Sequence, residues 1–340
     1  MTLIYFILIL GLTVFVHEFG HFIMAKRSGV YCYEFSLGMG PKIYSFKRKN
    51  DETTYSIRLL PIGGYVQMAG EEIEEDKKIP KAKRMQSKTI LQRLSIVLAG
   101  VFNNFILGLL LLFLMSIIYG SPNNTPIIKN SYLNASKLGI KSGDVVKKIN
   151  NKKVHSKDDV NLEIMMLKEG TDLSLELVDK SGNTKNVKLI PTKTDEGYKY
   201  GLEFDNTEYR GFFHSIKYSF TKFTSLFRNM IKIFKYLFTG KLGLNSLSGP
   251  VGIYNVIGEQ SKLGFENVIY LAAYISINVG FVNLIPFPAF DGGRALFLII
   301  EKIRKKPIDQ KIENIIHTVG FVILMILIVV ITIKDIIKLF

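Results

Sequence analysis

The sequence predicts a polytopic α-helical membrane protein, with about four transmembrane helices and an inserted β-rich domain. Hydrophobic residues make up 48% of the 340 residues and the formal net charge is +15, a combination typical of apolar spans with basic flanks. A helical span needs about 20 mostly apolar residues. Four stretches qualify: 2–25, 94–119, 268–290 and 314–333. The long polar region between the second and third stretches contains short apolar alternations, which indicate strands.

The first apolar stretch lies where a signal peptide would lie. It lacks a basic n-region and a small-residue cleavage site, so we expect it to be retained as a helix. The two loops 26–93 and 301–313 are basic, and the first carries 14 Lys or Arg against 8 acidic residues. By the positive-inside rule both loops are expected in the cytoplasm, which places both termini and residues 120–267 outside.

The outer region divides into two parts by composition. Residues 126–205 are expected to form a soluble β-rich module, with a hairpin at 173–189 and a helix at 156–168. Residues 209–239 mix aromatic residues with Lys and Arg, as in an amphipathic helix on a membrane surface; the alternative is a helix packed against the module. The expected domains are an N-terminal membrane domain with a cytoplasmic loop at 1–125, the module at 126–205, a membrane-surface linker at 206–267 and a C-terminal membrane domain at 268–340.

The composition excludes several kinds of site. Cys32 is the only cysteine, so neither an intrachain disulfide nor a thiolate-rich zinc site can form. Nucleic-acid binding is not expected, because the basic residues flank apolar runs instead of forming one soluble basic face. The charged run at 71–88 is expected to be a solvated loop.

The first span contains two histidines four positions apart, His17 and His21. On a helix both imidazoles project from one face, so they can hold one metal ion. Glu18 follows the first of them and can act as general base on a metal-bound water. The alternative is that these three groups only form salt bridges inside a helical bundle.

Two histidines leave a catalytic zinc ion one protein ligand short. Asp291 is the best candidate for the third ligand, because it follows an uncharged run in which Pro286 and Pro288 are expected to break the helix. Gly292 and Gly293 then allow a tight turn that presents the carboxylate to the bundle interior. The alternative role of Asp291 is to cap the helix that resumes there.

Two motifs together resemble those of the site-2 protease family of intramembrane zinc metalloproteases: His17-Glu18-x-x-His21 and Asn283-x-x-Pro286-x-Pro288-x-x-Asp291-Gly292-Gly293. Three further stretches are similar to the bacterial regulator-of-sigma-E type: Gly38–Lys42, Pro61–Met68 and Gly249–Gly252. The resemblance covers nearly the whole chain. One departure is Val101, where the family usually has a proline, and it affects only local helix geometry.

The resemblance implies a Zn²⁺ cofactor held by the two histidines and the aspartate of these motifs, with Glu18 as the catalytic group. It also implies that Asn283 holds the substrate backbone or stabilises an oxyanion; the alternative is a helix-packing amide. Asn104 matches an asparagine of the family, and Gly63 and Gly64 match a membrane-associated β-hairpin, in which we expect them at the turn. These four residues are the candidate substrate-binding residues.

The stretch Leu138–Asn150 resembles part of a single PDZ domain, a fold that can accept a peptide as an added strand. In relatives this domain is thought to filter bulky ectodomains; the alternative is a spacer. The resemblance implies a multi-pass protease of the bacterial plasma or inner membrane, with its active site near the cytoplasmic side.

Its implied partners are the lipid bilayer and transmembrane protein substrates, such as anti-sigma factors or remnant signal peptides, cleaved in regulated intramembrane proteolysis. Two alternative hypotheses for the function are a zinc transporter and a membrane-anchored PDZ adaptor whose metal motif is vestigial. Glu18 beside the histidines and the lack of repeated halves argue against the transporter.

Overall fold

The computed structural model describes residues 1–70, 78–195 and 197–338. Two compact units are present, one formed by Met1–Leu111 with Tyr236–Phe340 and the other by Leu112–Lys235. The acidic half of the charged run predicted at 71–88 lies outside the described residues.

In chain order, the helices of the described residues are α1 (Thr2–Arg27), α2 (Ile90–Tyr119), α3 (Asn134–Lys137), α4 (Lys157–Met165), α5 (Phe212–Phe238), α6 (Pro250–Lys262), α7 (Phe265–Leu284), α8 (Asp291–Arg304) and α9 (Gln310–Ile337). The strands are β1 (Cys32–Lys47), β2 (Thr54–Met68), β3 (Ser121–Pro122), β4 (Ile128–Ser131), β5 (Val145–Ile149), β6 (Lys152–Lys153), β7 (Leu173–Val178), β8 (Thr184–Leu189), β9 (Thr192–Thr194), β10 (Gly197–Lys199), β11 (Leu202–Phe204) and β12 (Glu208–Tyr209).

Four helices are long and apolar enough to cross a membrane: Thr2–Arg27, Ile90–Tyr119, Phe265–Leu284 and Lys311–Ile337. The predicted class, a helical membrane protein with an inserted β-rich region, is confirmed. The third span is shorter than the predicted stretch 268–290, because α7 ends at Leu284. Ile285 is extended (φ −62°, ψ 134°), as expected for the residue before Pro286.

The segment between the first two spans contains a bent sheet made by β1 and β2. Residues 32–37 pair on one side with 54–57 and on the other with 64–68. Among the described strands, 64–68 pairs only with β1, so it is an outer strand of this sheet.

The prediction that Gly63 and Gly64 form a hairpin turn is wrong. Both lie inside β2, where Gly64 pairs with Leu37 and Gly63, with φ +86°, bends the strand. A residue with a side chain would be strained at that φ, which is the physical reason for a glycine there.

Helices α1 and α2 approach closely where the first span carries its histidines. A Cβ on Gly20 would lie 2.5 Å from the carbonyl oxygen of Ala99, so only glycine permits this approach. The side chain of Asn103 donates a hydrogen bond to the carbonyl of Val16 at 3.2 Å. The two helices are therefore fixed against each other beside the metal motif.

The second unit contains the β-rich module. Its four-stranded sheet has the order β6-β5-β7-β8, and the predicted hairpin is confirmed, since Leu173 pairs with Leu189 and Leu175 with Val187. The predicted helix at 156–168 is confirmed as α4. The buried core of the module lies between Ile128 and Leu189.

One face of α5 packs against this module. Lys222 lies 2.6 Å from Asp158 and Lys232 lies 3.1 Å from Asp159, both carboxylates being on α4. The opposite face exposes apolar side chains, namely Phe213, Phe220 and Ile231 at 85%, 57% and 51%. The alternative in which this helix packs against the module is observed, and the membrane-surface alternative, which concerns the exposed face, stays a prediction.

Candidate metal centre

The two histidines of α1 are buried side by side near the end of the first span. His17 and His21 are each 9% exposed, and their Nε2 atoms lie 3.2 Å apart. This proximity follows from helical geometry, since positions i and i+4 share one face.

The carboxylate of Asp291 reaches the same point from a different part of the chain. Helix α8 begins at Asp291, and Phe290 occupies the position before it, without a side-chain cap. The capping alternative is therefore not observed. Oδ2 of Asp291 instead lies 3.2 Å from Nε2 of His17 and 3.3 Å from Nε2 of His21.

Three ligand atoms at these separations fit one tetrahedral metal ion. Bonds of about 2.0–2.1 Å to zinc place tetrahedral ligands about 3.3 Å from one another. The ligand atoms of His17, His21 and Asp291 form such a triangle. Among the described residues, these three are the cluster of His and carboxylate side chains close enough together to bind one metal ion. Oδ2 of Asp291 is also buried, and no hydrogen bond of acceptable geometry reaches it from the described part of the chain. A bound cation would satisfy this oxygen.

The second ring nitrogen of each histidine has a partner, and that of His21 agrees directly with this fit. Nδ1 of His21 lies 2.8 Å from the carbonyl oxygen of Ile96, which can only accept, so Nδ1 carries the proton and Nε2 keeps its lone pair. Nδ1 of His17 lies 3.2 Å from Nδ2 of the buried Asn104, whose amide oxygen has no hydrogen bond in the described chain. Exchanging the two amide atoms puts the oxygen opposite Nδ1, where it accepts the proton and leaves Nε2 of His17 free for a metal. A carbonyl or amide that fixes the second nitrogen of a metal-ligating histidine is common in metal sites.

Asn104 therefore lies behind His17, and its backbone carbonyl oxygen accepts a hydrogen bond from the hydroxyl of Ser276 at 2.9 Å. That Asn104 binds substrate stays a prediction. In the described structure its side chain contacts His17.

Gly100 is a site residue that the sequence did not single out for a role. A Cβ there would lie 2.4 Å from Nε2 of His21 and 2.8 Å from Cε1 of His17. Glycine leaves the space that the two imidazoles fill. The signal that could have found it is the pair Ala99-Gly100 in an apolar helix, the small-residue pattern of close helix contacts.

The three candidate ligands line a cavity of about 690 Å³ in the first unit. Glu18 and Asn283 line the same cavity, and so does the outer strand 64–68. A Cβ on Gly64 would lie 3.2 Å from Cγ of Glu18, so the glycine allows the carboxylate side chain to pass close to the strand. The predicted site residues, apart from Asn104, thus meet around one space.

A family model described as "Peptidase family M50" matches residues 5–327. The chain belongs to peptidase family M50. The predicted resemblance to site-2 proteases and the predicted zinc-metalloprotease class of enzyme are therefore confirmed.

Curated relatives of this M50 peptidase align over almost their whole length. "Regulator of sigma-W protease RasP" of Bacillus subtilis is 33% identical over 100% of this chain and 99% of the relative. "Zinc metalloprotease RasP" of Bacillus licheniformis is 33% identical with the same coverage, and that of Shouchella clausii is 32% identical, again with 100% and 99% covered.

Proposed function

We propose that this M50 peptidase is a zinc metalloendopeptidase that cleaves transmembrane segments of other membrane proteins. The observation that carries the proposal is the convergence of His17, His21 and Asp291 on one point, beside Glu18, in a cavity formed by membrane-spanning helices. Ionisable groups at such a depth are costly and mark a functional site.

The side chains of the site have different roles in peptide hydrolysis. His17, His21 and Asp291 hold Zn²⁺, which, when bound, acidifies a water molecule and polarises the scissile carbonyl. Glu18 accepts the proton of the attacking water and delivers it to the leaving amine, which is general acid–base catalysis. Its half-buried position in the cavity wall supports this role.

A helical substrate must unwind before its backbone can be cut, because its carbonyls are already hydrogen-bonded. The outer strand 64–68 lines the cavity beside the candidate ligands, so an extended substrate segment can lie along it. Asn283 lines the cavity and is placed to donate to the substrate backbone or to an oxyanion. Gly63 and Gly64 serve this strand as a bend and as a close-contact position.

Helix α5 is proposed to rest on the outer membrane surface. Its exposed Phe213, Phe220 and Ile231 suit the apolar boundary of a bilayer, while its basic residues contact α4. The basic loops remain on the cytoplasmic side in this proposal, with both termini and the module outside. We also propose that the domains are 1–125, 126–205, 206–267 and 268–340, as expected from the sequence.

The PDZ-like module is proposed to contact peptides or ectodomains of substrates and so to limit access. Substrates of the anti-sigma-factor or remnant-signal-peptide type fit a protease of the bacterial cell membrane that acts in regulated intramembrane proteolysis. The relative in Bacillus subtilis is named "Regulator of sigma-W protease RasP", which supports the first type.

The test is cleavage of a co-expressed single-span substrate by wild-type protein and by Glu18→Gln. We expect the variant to retain zinc and to lose activity by about 10²-fold or more, because only the proton acceptor is removed. Glu208→Gln, which changes an exposed carboxylate of the second unit, is the control. Full activity of Glu18→Gln would contradict the proposal. A zinc transporter or an adaptor would show no cleavage with any variant.

A further inference from the structure

The last span contacts the loop that carries the third candidate ligand. Nδ1 of His317, on α9, accepts a hydrogen bond from the backbone N–H of Ala289 at 3.2 Å. Ala289 stands two positions before Asp291 and has φ +90°. A non-glycine residue at such a φ is strained and persists only where its surroundings hold it.

A second contact lies one helical turn further along α9. A Cβ on Gly320 would lie 2.4 Å from Cβ of Pro288 and 2.5 Å from its carbonyl oxygen. The loop therefore rests directly on the backbone of α9, at a distance that no other residue type permits. His317 and Gly320 lie on one face of the helix, three positions apart.

The opposite side of the loop is equally constrained. Cβ atoms on Gly292 and Gly293 would lie 2.3 Å from the carbonyl oxygens of Leu284 and Phe287 respectively. The start of α8 is thus pressed against the end of α7, while α9 supports the residues just before it. Asp291 projects from this clamped segment towards His17 and His21.

We propose that His317 and Gly320 are positioning residues, which hold the loop 286–290 in the strained conformation that aims Asp291 at the metal. The inference rests on the proposed ligand role of Asp291. α9 itself contributes none of the three candidate ligands, yet in this arrangement it sets the direction of one of them.

The hydrogen bond also fixes the form of the His317 ring. Because the N–H of Ala289 donates, Nδ1 must carry a lone pair and the neutral ring carries its proton on Nε2. Nε2 is buried, with Oε1 of Glu313 3.9 Å away, and the ring packs beside Phe297 of α8 at a centroid distance of 5.5 Å. The ring is therefore held from both α8 and α9.

The test uses full-length protein in lipid nanodiscs and measures zinc affinity by chelator competition. His317→Leu removes the acceptor, Gly320→Ala inserts a methyl group against Pro288, and His317→Asn places an amide oxygen near the Nδ1 position. We expect affinity to fall about tenfold or more in His317→Leu and Gly320→Ala, as for loss of outer-shell support of a metal ligand, and to recover to within about threefold in His317→Asn.

Matched controls are Thr318→Val, on an exposed position of the same helix, and Gly243→Ala, where a Cβ would meet nothing closer than 3.9 Å. The visible absorption of the cobalt-substituted protein supplies a second readout, since its intensity follows coordination geometry. We expect it to change in His317→Leu and to return in His317→Asn.

Wild-type affinity and spectrum in both His317→Leu and Gly320→Ala would overturn the inference. An asparagine variant as weak as the leucine variant would show that ring packing, not the hydrogen bond, matters, and would also overturn it. If His317→Leu fails to fold, the asparagine and alanine variants decide. A wild-type protein that binds no zinc contradicts the ligand assignment itself, which is a separate result.

Discussion

Nε2 of His17 lies 3.2 Å from Oδ2 of Asp291, although the first residue belongs to the first membrane span and the second begins the helix after the third. No hydrogen bond of acceptable geometry satisfies that oxygen in the described part of the chain. A proton between the two atoms would form such a hydrogen bond, but its geometry is not met, so a metal ion bound by both lone pairs fits the arrangement better. The relationship therefore favours a metal centre over the salt-bridged bundle considered as its alternative.

Replacement of Asn104 should weaken metal binding through His17. A ligand bound through Nε2 must carry its proton on Nδ1, which then needs an acceptor, and the amide of Asn104 can turn its oxygen to this position. We expect Asn104→Leu to lower zinc affinity about 10–100-fold and Asn104→Asp, which keeps an acceptor, to retain most of it. Chelator competition measures both. Equal affinity in Asn104→Leu and wild type would contradict the orienting contact.

A cysteine at position 67 should capture a substrate. Gln67 lies in the outer strand that lines the cavity, so a substrate segment added to that strand would pass beside it. In a Cys32→Ala, Glu18→Gln background, we expect Gln67→Cys to form a disulfide with a cysteine near the cleavage site of a bound substrate. Leu59→Cys is the control, because Leu59 is 58% exposed on the same strand and is not among the cavity-lining residues. Equal cross-linking at both positions would argue against strand addition.

The sheet beside the cavity should lose stability in acid through Glu34. Burial would raise the pKa of Glu34, but hydrogen bonds from Lys42, Ser56 and Arg58 outweigh it and hold the pKa at about 2. Because the folded pKa is below the unfolded value of 4.5, this stabilisation is full above about pH 5 and is lost as the pH falls from there towards 2.

We expect Glu34→Gln to lower the thermal midpoint at pH 7, equivalent to about 2 kcal/mol, and to bring the difference from wild type close to zero near pH 2. Thermal unfolding in detergent across this range measures it, with Glu208→Gln as the exposed-carboxylate control. A constant difference at all pH values would contradict the sign of the shift.

Much of the site could be predicted from sequence because it depends on local chemistry. Helical spacing puts His17 and His21 on one face, and a run of about 20 apolar residues defines a span. The place of Asp291 beside the histidines could be inferred because prolines follow the end of α7 just before it, and the structure brings its carboxylate within 3.3 Å of both imidazoles.

What could not be predicted depends on contacts between distant segments. The turn expected at Gly63 and Gly64 is instead a bend inside β2. The reason is that residues 64–68 pair with residues 32–37 of β1 and not with the segment next to them in the chain. Local patterns do not specify such pairing. The roles of Gly100 and Gly320 also depend on which groups face them, namely imidazoles in one case and Pro288 in the other.

X-ray absorption spectroscopy at the zinc edge, which reports ligand atoms and bond lengths, tests the central claim most directly on purified protein. The wild type is predicted to bind one zinc ion through two imidazole nitrogens and carboxylate or water oxygens at about 2.0–2.1 Å, without sulfur. Asp291→Ala should lose most of the zinc under chelator competition, whereas Glu208→Gln, the exposed-carboxylate control, should keep it. An unchanged coordination shell and unchanged zinc affinity in Asp291→Ala would contradict the account.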